Sequence, residues 1–260
     1  MVYGKEKMRD PRHVLITGAS SGIGAALAEV YAGPGCRLTL SGRHQARLAE
    51  IGARCRTKGA TVTELVLDIT DRQAAADRLS AVDDAAPIDL VIANAGISGG
   101  TYGGSESAEQ VRAIFAANVD GVFNTVLPLL PRLEKRRRGQ VALMASLAGY
   151  RGFPGAPAYC GSKAAIKVWG EGLRGQMASS NVGVTVILPG YVKTPMTETN
   201  DFPMPLLMPV EQAARLIRRR LAGNPARIAF PWPTATVAWL IGALSPRLTD
   251  PLLQRLPKKS

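Results

Sequence analysis

The tightest constraint on this chain is its alternation of short β-rich runs with longer helical ones. His13–Thr17 (HVLIT) is a compact apolar run of strand character, followed by a Gly/Ser turn and a helical stretch from Ile23 to Ala32. Arg37–Ser41 reads as a second strand and Gln45–Lys58 as a polar helix. Thr61–Leu67, Ile88–Ala93, Gln140–Ala145, Val182–Leu188 and Arg227–Phe230 supply further strands, separated in part by helical stretches at Arg72–Asp83, Ala108–Lys135 and Ala158–Ala178. Serial βαβ units of this length place helices over both faces of a parallel sheet. The fold class is therefore α/β, a doubly wound parallel sheet. With 260 residues, no internal repeat and no dividing linker, the chain reads as one domain over residues 1–230 with a C-terminal extension over 231–260.

The first strand runs straight into Thr17-Gly18-Ala19-Ser20-Ser21-Gly22-Ile23-Gly24. Glycines let a backbone turn tightly and approach a pyrophosphate, and the N-terminus of the next helix offers free N–H groups and positive dipole. An ordinary strand-to-helix turn can look the same. The position immediately after the first strand, where a dinucleotide site requires such a turn, favours cofactor binding. The spacing is G-x-x-x-G-x-G and not G-x-G-x-x-G, and the absence of G-K-[ST] argues against a P-loop.

Further signatures follow in order. Asp68 closes the third strand, Asn94-Ala95-Gly96 follows the fourth, and Asn118 lies in the long connection to the fifth. Ser146 follows the fifth strand, Tyr159-Cys160-Gly161-Ser162-Lys163 opens the next helix, and Pro189-Gly190 ends the sixth strand. With the glycine motif, these residues make the chain resemble the short-chain dehydrogenase/reductase family over about residues 10–230. The resemblance implies a Rossmann-like fold and an oxidoreductase that moves a hydride between a nicotinamide cofactor and a carbonyl or alcohol.

Tyr159 and Lys163 are four residues apart and share one helix face. An ammonium beside a phenol favours phenolate, so Lys163 is expected to draw the Tyr159 pKa down from about 10 toward neutral. Such a tyrosine can protonate a carbonyl oxygen or take a proton from an alcohol. Ser146 is expected to hydrogen-bond the same oxygen. The resemblance further implies that Lys163 binds the nicotinamide ribose and that Asn118 holds a water in the proton relay. A helix-face Tyr/Lys pair without chemistry is common in isolation, and the other motifs weigh against it. A non-catalytic nucleotide sensor or scaffold would be marked by loss of Tyr or Lys, and both are present.

Cofactor choice follows from charge. NAD-preferring relatives place an acid at the end of the second strand, where it binds the adenosine ribose and repels a 2′-phosphate. Here Gly42 stands at that position and Arg43 follows, with Arg47 one turn on. An arginine fork can grip a phosphate, which favours NADP(H) over NAD(H). Ser20 and Ser21 add no second basic group, and Arg43 as a solvated residue stacking on adenine is the alternative. Asp68 is expected to accept from the adenine amino group with Ile69 covering the ring. An N-cap role for the helix at Arg72 remains open for Asp68, although Asp71 is equally placed. Asn94, Ala95 and Gly96 pack the fourth-strand turn against the cofactor by resemblance, and Val192 and Thr194 are placed to meet the nicotinamide carboxamide. A plain strand-ending turn is the alternative there.

Thr194–Pro209 matches the family's variable substrate lid in position and carries Met196, Phe202, Met204, Leu206, Leu207 and Met208. Adaptable methionines suit an apolar substrate, and core packing of the loop is an equal alternative.

Thirty-two Lys and Arg against 20 Asp and Glu give a net charge of +12, which favours anionic partners. The basic clusters Lys135–Arg138 and Arg218–Arg220 carry no interleaved aromatics and sit on no nucleic-acid module, so solvated helix ends are expected and no nucleic-acid partner. Cys36, Cys55 and Cys160 are too few and scattered for a disulfide framework or zinc site, and MVYGKEKMRD lacks a signal-peptide apolar run. A cytoplasmic enzyme without metal is expected, with a small-molecule carbonyl or alcohol substrate.

In the tail, residues 228–246 contain 19 uncharged residues. Pro231, Pro233 and Pro246 restrict the helix to about 12 residues, too short to span a bilayer. Val237, Leu240, Ile241 and Leu244 form one apolar face, flanked by Trp232 and Trp239 and followed by Arg247, Arg255, Lys258 and Lys259. That face suits either a subunit contact in a homodimer or homotetramer or a membrane-surface helix. Ala238, Gly242 and Ala243 on the opposite face argue for close protein contact, which places subunit or core packing ahead of the membrane.

Overall fold

In the computed structural model, which describes residues 10–100 and 105–254, the β-rich runs form one parallel sheet. Its strands are β1 (His13–Thr17), β2 (Arg37–Gly42), β3 (Thr61–Val66), β4 (Leu90–Ala93), β5 (Gly139–Met144), β6 (Val182–Pro189) and β7 (Arg227–Phe230). They lie in the order β3-β2-β1-β4-β5-β6-β7. Every residue of β1, β4, β5 and β6 is buried, as expected of Val/Ile/Leu-rich strands covered on both faces. The edge strand β3 keeps Thr61 and Thr63 exposed. β1 and β4 are neighbours although β2 and β3 intervene in sequence. The winding direction therefore reverses between them, which opens a crevice at their C-terminal ends.

Helices α1 (Gly22–Tyr31), α2 (Gln45–Thr57) and α9 (Val210–Leu221) cover one face through Leu27, Ala28, Leu48, Ile51, Ala213 and Ile217. On the other face lie α3 (Arg72–Ala85), α5 (Gly121–Val126), α6 (Leu130–Arg136) and α7 (Pro157–Met177), which bury Leu79, Val122, Val126, Leu133, Ile166 and Leu173. Asp71 caps α3 by accepting from the Ala74 amide at 3.0 Å. The cap role left open for Asp68 thus belongs to Asp71.

The single helix expected over Ala108–Lys135 is interrupted. α4 (Ala108–Phe115) passes through a π-helical turn at Ala116–Asp120 into α5, and a turn at 127–129 precedes α6. Pro128, which lacks an N–H, accounts for the second break, and Pro131 sits in the first turn of α6. The run 108–136 is long and apolar enough to cross a membrane, but half of it is buried inside the protein.

The short α8 (Pro195–Glu198) follows β6, and the tail forms α10 (Trp232–Ala243) and α11 (Pro246–Leu253). Arg151 ties α11 to the body through Asp250 at 2.5 Å and Thr249 at 3.3 Å. Residues 1–9 and the cations Arg255, Lys258 and Lys259 lie outside the described residues.

Candidate active site

The crevice between β1 and β4 holds the glycine turn. Gly18 (φ +66°) and Gly22 (φ +55°) occupy the left-handed region that glycine alone enters without strain. A Cβ at Gly24 would fall 2.2 Å from the Gly18 carbonyl oxygen, and one at Gly18 would fall 2.8 Å from the Ala95 Cα. The turn after β4 is thus pressed against the turn after β1. Asn94 fastens them: its Nδ2 donates to the Thr17 carbonyl at 2.9 Å, while the Asn94 and Ala95 amides donate to Thr17 Oγ1 at 3.1 and 3.2 Å. The Ser21 side chain makes no cap hydrogen bond to α1, whose first turn carries no acid. A glycine-lined cradle below an open helix N-terminus fits the pyrophosphate of a dinucleotide.

The end of β2 adjoins this cradle. Ala19 donates to the Ser41 carbonyl at 2.9 Å, and a Cβ at Gly42 would sit 3.2 Å from Ser20 Oγ. Arg43 follows, exposed. The Thr70 amide and hydroxyl donate to Asp68 at 2.9 and 2.8 Å and hold its carboxyl below the usual range, with the nearby Arg43 charge adding to the effect. Ile69 is buried, and a Cβ at Gly121 of α5 would fall 2.3 Å from its side-chain tip. Its side chain therefore packs against α5 beside the Asp68 turn.

The reactive side chains converge from three further segments. Tyr159, in the first turn of α7, lies near enough to Ser146, just after β5, for the serine hydroxyl to favour its phenolate. The Ser146 hydroxyl also accepts from the Ala148 amide at 3.1 Å and donates to the Pro189 carbonyl at 3.4 Å. Lys163 is buried, with Nζ 5.8 Å from the Tyr159 ring centre and donating to the Met144 carbonyl at 3.0 Å. Burial brings Lys163 down to about 8 and pushes Tyr159 up to about 12 against the opposing effect of Ser146. The expected lowering of Tyr159 by Lys163 is therefore not found. The ammonium is turned to a carbonyl, and desolvation of the phenol is the largest cause of its shift.

Asn118 lies in the π-helical turn, a distortion frequent at functional sites. Its Oδ1 accepts from the Ile97 amide at 2.7 Å, and its Nδ2 donates to the Ile97 carbonyl at 2.9 Å and to Ser162 Oγ at 3.0 Å. A Cβ at Gly96 would lie 2.7 Å from Asn118 Oδ1 and 3.4 Å from Lys163 Nζ, so only glycine passes between them.

Val192 and Thr194 are buried, and a Cβ at Gly22 would lie 3.3 Å from the Thr194 methyl. Core packing of the lid holds at one of its methionines. Met208 packs on the core and bridges Val192, while Met196, Leu206 and Leu207 are exposed.

Two residues escaped the sequence reading. Glu106 Oε2 accepts from the Ala158 amide at 2.8 Å, capping α7, whose own N-cap Ala156 offers no side-chain oxygen. The only sequence hint was that missing cap. Tyr191 stacks edge-on with Phe202 at 6.1 Å and lies near enough to Tyr159 to raise its pKa, while Cys160 raises that of Tyr191. Its place directly after Pro189-Gly190 could have revealed it.

Cys160 is buried, and burial pushes its thiol up to about 11, consistent with a packing role. Among the described residues no group of His, Cys, Asp or Glu could hold a metal ion. The basic clusters are partly taken up in structure: Arg136 pairs with the buried Asp83 at 2.6 Å, and Arg218 donates to the Val30 carbonyl at 2.6 Å.

Comparison with known proteins agrees with this geometry. The family model described as short chain dehydrogenase matches residues 12–203. An uncharacterised oxidoreductase of Myxococcus xanthus is 38% identical over 246 residues, covering 94% of this chain and 97% of that protein. One of Mycobacterium tuberculosis is 33% identical over 241 residues, covering 91% and 95%. A short-chain dehydrogenase from Sphingobium yanoikuyae, solved in complex with NADPH, superimposes with a TM-score of 0.78 at 27% identity, covering 95% of this chain and 97% of that one. One from Mycobacterium paratuberculosis, solved bound to NAD, shares the fold with a TM-score of 0.76 at 23% identity, covering 90% and 100%.

Proposed function

The chain belongs to the short-chain dehydrogenase/reductase family and is an oxidoreductase, and from that premise we propose that it interconverts a carbonyl compound and an alcohol using NADP(H). The observation that carries this reading is the convergence of Tyr159, Ser146 and the buried Lys163, whose Nζ lies 5.8 Å from the Tyr159 ring, at the end of the sheet where the winding reverses. When bound, the nicotinamide supplies or accepts the hydride. Tyr159, with its pKa pushed up to about 12, stays protonated at neutral pH and holds the proton that a reduced carbonyl oxygen needs. Ser146 hydrogen-bonds the same oxygen. Lys163 binds the nicotinamide ribose, and Asn118 orients the relay while clamping the turn at Ile97.

The adenosine end is assigned to Arg43, which grips a 2′-phosphate where an acid would repel it, and to Asp68 on the adenine amino group. Gly18, Ser20, Ser21, Gly22, Ile23 and Gly24 receive the pyrophosphate, with Asn94, Ala95 and Gly96 closing the cradle. Val192 and Thr194 meet the carboxamide. Supporting NADP(H) are the glycine in place of the acid and the exposed arginine beside it. The NADPH complex of the Sphingobium protein agrees with that choice. The exposed Met196, Leu206 and Leu207 of the lid favour an apolar substrate. Exposed Phe115, Leu127 and Val168 offer apolar surface for self-association into a dimer or tetramer.

A panel of apolar ketones and aldehydes, followed by loss of reduced-nicotinamide absorbance, tests the reading. Turnover with NADPH on at least one carbonyl is expected. Cofactor binding without turnover on any carbonyl or alcohol would favour the non-catalytic sensor.

A further inference from the structure

Helix α10 turns a small-residue face inward and a large apolar face outward. Ala235 and Ala238 pack on the core beside Tyr150, and Gly242 brings the helix against the Tyr150 carbonyl, where a Cβ would fall 2.4 Å away. Ala238 and Gly242, which pointed to close protein contact, therefore make that contact within the chain, while Ala243 stays exposed. What remains outward is Trp232, Val237, Trp239, Leu240 and Leu244, each between 49% and 78% exposed, and Leu248 of α11 continues the patch at 70%. At 3.6 residues per turn, Trp232, Val237, Trp239 and Leu240 of α10 span an arc of roughly 160°, and Leu244 follows at the C-cap. No charge interrupts residues 228–246. A monomeric surface rarely leaves such a patch without a partner.

We propose that this face docks on an anionic lipid bilayer, with α10 lying in the plane of the headgroups. A 12-residue helix extends about 18 Å, well short of the hydrocarbon thickness, so it lies in the interface and does not span. Two exposed tryptophans suit the interfacial zone, where an apolar ring body meets a wet edge. Charge decides between a bilayer and a second copy. Arg247, in the first turn of α11, is exposed. Beside Tyr150, on which α10 packs, Lys167 and Arg227 share the single carboxylate of Glu171, while Arg151 pairs with Asp250 of α11. Cations outnumber carboxylates at this rim, and the whole chain carries +12. A second copy would bring the same positive charge to the contact, whereas anionic headgroups bring the complement.

The test uses the full chain with vesicles of phosphatidylcholine alone and of phosphatidylcholine mixed with phosphatidylglycerol. Sedimentation with the phosphatidylglycerol vesicles, weakened by salt and accompanied by a blue shift of tryptophan emission, is expected. Trp239→Glu and Leu240→Glu point outward and should leave the circular dichroism spectrum unchanged. Each should lower vesicle partitioning by roughly tenfold or more. Absence of sedimentation with anionic vesicles would overturn the proposal, as would equal binding to both compositions or binding that neither variant affects. Loss of a vesicle-free dimer in these variants, with no lipid binding by the wild type, would assign the face to a second copy.

Discussion

Lys163 shows what the site demands of a single residue. Its ammonium is sealed beneath the crevice with one carbonyl partner, and burial brings its pKa from 10.5 to about 8. Below pH 8 folded and unfolded chains both carry the proton, and burying it costs about 3 kcal/mol. Between pH 8 and 10.5 the folded state releases the proton first, so stability rises with pH across that window. Without cofactor, the unfolding free energy of the wild type should therefore gain on that of Lys163→Met as pH is raised from 8 to 10. Urea denaturation of both proteins measures this, and a constant difference would contradict it. At the other end of the cofactor site, Arg43 should make NADPH bind more tightly than NADH by about 1–3 kcal/mol. Arg43→Ala should remove most of that preference in a fluorescence titration, and an unchanged ratio would refute the phosphate clamp. Both residues were legible in sequence, one from its spacing to Tyr159 and the other from the missing acid. The direction in which Tyr159 shifts was not, because desolvation depends on atoms brought in from β5 and β6.

At the level of elements, α7 carries the reactive tyrosine in a first turn that its own residues leave uncapped. Glu106, from the segment before α4, caps it. Glu106→Ala should loosen that turn, speed amide hydrogen exchange over residues 157–161 and destabilise the protein by about 1 kcal/mol. Glu106→Gln, which keeps an acceptor oxygen, should restore most of the protection. Exchange equal to wild type in the alanine variant would show that the cap does not hold the turn. Strand and helix identities were readable because β-rich runs and polar helical runs alternate cleanly, and β1 and β7 match their expected bounds residue for residue. The π-helical turn at Asn118 was hidden: Ala116–Asp120 carries no local breaker, and its geometry accompanies the clamp on Ile97 across the crevice. The Glu106 cap was hidden for a related reason, since its partner lies 52 residues further along the chain.

For the whole molecule, the reversal of winding between β1 and β4 gathers a glycine turn, an arginine and a Tyr–Ser–Lys group at one end of the sheet. The parallel sheet and the order of motifs were evident from the sequence. The outward face of α10 was only half evident, because the sequence showed two faces without revealing which one the body would cover. Ligand binding to the folded state alone stabilises it by about 2.7 kcal/mol at 100 times the dissociation constant, and a chain of this size responds by roughly 2–4 °C per kcal/mol. NADPH should therefore raise the thermal midpoint more than NADH at equal concentration, and equal shifts would count against the cofactor assignment. The most direct measurement compares wild type and Tyr159→Phe on a carbonyl that the wild type reduces, with NADPH affinity measured alongside. Turnover should fall by roughly 10²–10⁴-fold while NADPH binding stays nearly intact. Wild-type turnover in the phenylalanine variant would contradict the assignment of Tyr159 as the proton donor.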